Sequence, residues 1–87
     1  MAKAPSVETL VVLTPIKVDT ESPDSDGRLV MANGMLVAIL IHLDAPDHEN
    51  MGSWLLEAGF GRLQRLRSPT FDTLEQATRW VRAGLRS

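Results

Sequence analysis

Five residues in a short stretch, His42, Asp44, Asp47, His48 and Glu49, carry the atoms that could ligate a metal ion. Two imidazoles and a carboxylate suit zinc or iron. No further ligand arrives from a distant segment, and a strand-end loop collects the same residue types for solubility. The cluster is therefore read as polar loop chemistry, and no metal or cofactor is expected. Asp24-Ser-Asp-Gly27 echoes the middle of a calcium loop. Its first ligand position would be Ser22 and its twelfth Asn33, where a bidentate Glu is needed, so a turn is the better account.

Nucleophilic catalysis needs a base within reach of the nucleophile and a third group to orient it. Ser53, Ser68 and several threonines are present, yet no Gly-x-Ser-x-Gly elbow surrounds them. There is no Gly-x-Gly-x-x-Gly and no phosphate loop; Gly59-Phe-Gly61 is a two-glycine bend. With no cysteine in the chain, thiol chemistry and a disulfide framework are excluded. A small enzyme would have to assemble a His–carboxylate site around His42 and His48, and it ranks third among the functional readings.

The charges are distributed unevenly. Residues 1–44 carry three basic and six acidic side chains, whereas residues 58–87 carry six arginines against Asp72 and Glu75. Arg62, Arg65 and Arg67 precede the last apolar-periodic segment, and Arg79, Arg82 and Arg86 are expected on its outer side. Guanidinium forks suit phosphate or carboxylate. The whole chain nevertheless has a net charge of −2, which does not indicate a strongly basic nucleic-acid binder.

These side chains must be held by elements, and 87 residues suffice for one domain. Residues 1–6 read as a flexible tail and 7–87 as a single domain. Val7–Val18 is apolar and β-branched but interrupted by Pro15, as an edge strand would be. Residues 19–27 form an acidic loop of turn-formers. Asn33-Gly34, which tolerates positive φ at both turn centres, sits between Leu29–Ala32 and Met35–Leu43 and predicts a β-hairpin. The run Met35–Ile41 is apolar throughout and belongs at the centre of a sheet. Ser53–Phe60 alternates, with Trp54, Leu56, Ala58 and Phe60 on one face, and reads as a third strand ending in a bend or bulge around Gly59 and Gly61. Arg62–Arg67 is open between a fourth strand and a basic loop.

The C-terminal segment predicts a helix, with Asp72 or Thr73 as N-cap and Glu75 or Gln76 completing a capping box. Leu74, Ala77, Val81 and Leu85 share one stripe, and Trp80 lies about 100° away from it. Glu75 and Arg79 are spaced for an i,i+4 pair. The fold class is α+β: a three- to four-stranded antiparallel sheet with one C-terminal helix on one face. No apolar run reaches the roughly 18 residues of a membrane span, and no secretory leader is visible, so a cytoplasmic protein with no membrane partner is expected.

Gly52-Ser-Trp54-Leu-Leu-Glu57, followed by Thr70-Phe71-Asp72-Thr73-x-Glu75-x-Ala77, resembles the three-stranded-sheet-plus-helix DNA-binding domains. These are the plant ethylene-response (APETALA-type) domain and the arm-binding domains of tyrosine recombinases. The resemblance implies a sheet that reads the DNA major groove, with Trp54 and Arg65 at matching contact positions; Gly59 stands where that family usually carries arginine.

Composition and patterning together favour a non-catalytic interaction module, binding a protein partner or itself through its sheet. One helix leaves a sheet face poorly covered, and Trp54 and Trp80 are the expected anchors. The alternative is a nucleic-acid-binding domain using Arg62, Arg65, Arg67 and Arg79.

Overall fold

The computed structural model describes residues 10–45 and 49–86. Its elements are β1 (Val11–Lys17), β2 (Asp26–Ala32), β3 (Met35–His42), β4 (Trp54–Gly59), a 3-10 turn (Gly61–Leu63), β5 (Thr70–Phe71) and α1 (Leu74–Arg86). The strands form one sheet in the order β1-β2-β3-β4-β5, with every neighbouring pair antiparallel. This is an α+β fold with an open meander sheet and one C-terminal helix. Five strands stand where three or four were expected, because β5 is two residues long and too short to leave a period-two signature.

The hairpin forms as the Asn-Gly signal requires. Asn33 and Gly34 have φ of 51° and 83°, so both turn centres are left-handed and Ala32 faces Met35 across the turn. β1 pairs with β2 over its whole length and is one of the two sheet edges, with Pro15 opposite Arg28. Residues 7–9 of the expected first strand, and the expected tail at 1–6, lie outside the described residues.

Two bulges reset the alternation. Between Val30 and Met31 the register with β3 shifts, so Val37 is an extra residue, and both Val37 and Ala38 are buried. A second shift makes Glu57 extra in β4. The expected single alternation through Phe60 therefore fails after Leu56: Ala58 pairs with Ile39 and moves to the other face. The bulge also falls earlier than the glycine pair suggested. Gly59 has a different role, since a Cβ there would run into the Leu63 carbonyl as the 3-10 turn folds back on the strand. The open question at Arg62–Arg67 resolves as that turn followed by irregular chain, with Leu63 buried and Leu66 fully exposed.

The core lies between the sheet and α1. Val30, Ala38, Leu40, Leu56 and Leu63 meet Ala77 and Val81 of the helix, while Leu74, Trp80 and Leu85 pack around them. Thr73 is the N-cap, its Oγ1 accepting the Gln76 N–H at 3.1 Å, and the Gln76 side chain accepts the Asp72 N–H at 2.9 Å. At the other end Arg62 donates to the Leu85 carbonyl at 2.7 Å, filling one of the acceptors a helix leaves free. Glu75 and Arg79 make no ion pair: among the described residues the pairs are Lys17–Asp26 and His42–Asp44.

The acidic loop is not simply solvated. Asp26 and Gly27 belong to β2, and Asp24 is buried, its carboxylate accepting the backbone N–H groups of Asp44 and Ala45 at 2.7 Å each. A short polar side chain ties two chain segments together there, which a composition of turn-formers cannot reveal. Among the described residues no helix is long and apolar enough to cross a membrane.

Candidate functional site

Cross-strand pairing assigns each strand residue to a face, because directly opposed residues project the same way. Val11, Leu13, Val30, Ala32, Ala38, Leu40, Trp54, Leu56 and Phe71 share the helix side. The opposite positions are Val12, Thr14 and Ile16 on β1, Leu29 and Met31 on β2, Leu36 and Ile39 on β3, Leu55 and Ala58 on β4, and Thr70 on β5. Among the described residues no element lies over them. Val12 is 47% exposed, Ile16 39% and Leu36 38%, both threonines are exposed, and the remainder are half-buried by their own neighbours.

One end of this face is closed. Ile41 is buried there, and Val18 at the start of the loop comes close to Gly27, where a Cβ would meet Val18 Cγ2 at 3.0 Å and Ile41 Cδ1 at 3.2 Å. The loop is held by the Asp24 bonds and by Thr20 Oγ1 donating to the Asp24 carbonyl at 2.7 Å. The open part therefore starts beyond Ile41 and runs toward the Asn33-Gly34 turn. Its paired strand positions bear no charged side chain among the described residues; Glu57, the unpaired bulge residue between Leu56 and Ala58, is exposed.

The residues singled out from sequence lie elsewhere. Trp54 is on the helix side, its ring 4.7 Å from that of His42 and under the Arg28 guanidinium at 5.0 Å. The Trp80 ring stands 5.5 Å from that of Phe71 and lies under the Arg65 guanidinium at 5.1 Å. Both tryptophans are half-buried and pack against the core. Arg65 also donates to the carbonyls of Arg62 and Gln64 at 2.8 Å. Arg67 and Arg79 are exposed, whereas Arg82 is half-buried and not simply on the outer side of the helix. The four arginines at 62, 65, 67 and 79 do not share the open face.

His42 bridges the ends of the loop that follows β3. Its Nδ1 lies 2.5 Å from an Asp44 carboxylate oxygen and its Nε2 3.1 Å from the Gly52 carbonyl. Both partners are acceptors, so both contacts are hydrogen bonds only when both ring nitrogens carry protons. Asp47 and His48 lie outside the described residues. Among the described residues no three His, Asp or Glu side chains converge as metal ligands do.

Comparison of the chain with protein-family models, with curated proteins and with solved structures gives no match. What fold and surface define is a class: a small α+β domain whose meander sheet is covered by a helix on one side and presents apolar side chains on the other. Sequence reasoning anticipated an uncovered face but not its residues. Counting in twos from the Asn33-Gly34 turn reaches Met31, Leu29 and Leu36, but the bulge at Val37 puts Ile39 on the open face against that count.

Proposed function

We propose that this domain is a non-catalytic module that pairs with a second copy of itself through the open sheet face. The observation that carries the reading is a largely apolar face, free of charge at its paired strand positions, over which no element packs among the described residues. The largest apolar patch on a monomer, ordinarily about 300–600 Å², is often functional. Four strands about 4.8 Å apart, each about seven residues long at about 3.3 Å per residue, make a face of roughly 19 by 23 Å.

That geometry selects the occupant. A face without charge at its paired positions meets its own copy across a two-fold axis without burying an ion or opposing like charges, although each chain is net negative. Sheets stack this way about 10 Å apart, with side chains interleaving. The β1 edge is less suited, since Pro15 has no N–H to give a neighbouring strand and Lys17 adds charge beside it. A face of at most roughly 450 Å² per partner falls below the ~800 Å² of a standard interface, so the dimer is weak and reversible. On this reading the resemblance of Gly52–Ala77 to DNA-binding domains is one of layout, because a groove-reading sheet needs basic side chains on the reading face.

Sedimentation equilibrium from about 10 μM to 1 mM tests the proposal, an interval bracketing the affinity of such small interfaces. The expected result is a monomer–dimer equilibrium that Ile39→Lys abolishes while leaving the circular dichroism spectrum unchanged. A chain that stays monomeric at every concentration, or a dimer indifferent to Ile39→Lys and Leu36→Lys, rules the face out as a self-association surface.

A further inference from the structure

A second concave surface lies on the helix side, independent of the open face. The flank of α1 opposite Trp80 stands apart from the edge strand and leaves a groove of about 460 Å³, lined by Leu13, Leu74, Glu75, Thr78, Arg79 and Arg82. The helical residues fall on one stripe because 74, 78 and 82 are spaced by four, and 75, 79 and 82 by four and three. The size is that of a small-molecule site, for which about 300–1,000 Å³ is usual.

The lining has two chemistries. Leu13 and Leu74 make an apolar wall. Against it stand two guanidinium groups, and the Arg82 Nε is buried without a hydrogen-bond acceptor. Buried donors in folded proteins are almost always satisfied, so the unpaired Nε singles out Arg82 among the lining residues as one with an acceptor missing. Glu75 does not supply it, for Glu75 forms no ion pair with either arginine. The Thr78 hydroxyl gives its proton to the Leu74 carbonyl at 2.8 Å, so toward the groove it offers lone pairs only. Donors in the groove thus come from arginine.

We infer that this groove binds a small amphipathic carboxylate, its headgroup on Arg82 and Arg79 and its hydrocarbon part against Leu13 and Leu74. A carboxylate matches the planar fork of a guanidinium through two parallel hydrogen bonds. Two arginines and one glutamate leave a net charge of +1 at the site, which balances a monoanion and is a poorer match for a dianionic phosphate.

The test is titration of ¹⁵N-labelled full-length protein with sodium octanoate, octan-1-ol and inorganic phosphate, following backbone amide shifts. Octanoate is expected to move Leu13, Thr78 and Arg82 saturably, and to bind more tightly than either control. Arg82→Met should weaken octanoate by about tenfold or more, since a charge-assisted bidentate contact is lost, and Arg79→Met by less. If Arg82→Met does not fold, Arg82→Lys keeps the charge without the fork and should still weaken binding. Octan-1-ol or phosphate binding as well as octanoate overturns the inference. So do shifts confined to Val12, Leu36 and Ile39 on the open face, or an octanoate affinity unchanged by the arginine substitutions.

Discussion

On the helix side of the sheet, Val30 and Ala38 have no exposure and Leu40 has 1%, whereas on the other side Val12 and Leu36 are 47% and 38% exposed. Both sets come from the same strands, and both are aliphatic. Hydrophobic patterning thus decides which residues can be buried, while the number of covering elements decides which are. A single helix covers one face of this sheet, and the chain keeps isoleucine, leucine and methionine on the face it leaves open.

The sharpest way to break this comparison is to substitute adjacent residues of β3 that point to opposite sides. Leu40→Ala empties a closed site and should cost about 2–5 kcal/mol, a large part of the roughly 5–15 kcal/mol that holds a domain together. Ile39→Ala, already partly in water, should cost only about 1 kcal/mol in the monomer. Urea unfolding at low protein concentration reads both. Equal losses would mean that the two faces are equally buried, and the open-face reading would fall.

A smaller effect is expected where the open face is closed off. Asp24→Ala removes the acceptor for the Asp44 and Ala45 N–H groups and should destabilise by about 1–3 kcal/mol. Asp24→Asn, which keeps one carbonyl oxygen, should lose less. The urea midpoints of the two variants order them. If both match the wild type, the loop does not pin that end and the open face is longer than it looks.

The legible part of the fold was the part encoded locally. Asn33-Gly34 has one favourable backbone solution, Thr73 and Gln76 have one capping arrangement, and the stripe at 74, 77, 81 and 85 has one packing side. What sequence left open depends on contacts across distance. Glu57 and Val37 become bulge residues only because partner strands slip, and Asp24 is buried only because a loop twenty residues later folds under it. Aromatic content drew attention to Trp54 and Trp80, and both lie partly buried against the core on the helix side. The candidate surface instead comprises ordinary aliphatic residues, which carry no signature until the strand register is known.

The smallest expected effect concerns what holds β1, the strand that brings Val12 and Ile16 to the open face and Leu13 to the covered one. At its far end Lys17 donates to the Asp26 carboxylate, and that hydrogen bond, reinforced by the lysine charge, holds the Asp26 pKa below the ordinary carboxylate value. A depressed folded-state value means the folded chain takes up the proton less readily than the unfolded one. The contribution is therefore fully present above the ordinary value of about 4, and it is lost as pH falls through the depressed one. Both side chains are exposed, so the effect is small and shrinks with added salt. Asp26→Asn should be slightly less stable than wild type at pH 7, with the difference vanishing in acid; urea midpoints across that range measure it. A difference that grows toward low pH would contradict the sign. A large one at neutral pH that falls steeply with added salt would show that an ion pair, and not the apolar positions on its two faces, keeps this strand in the sheet.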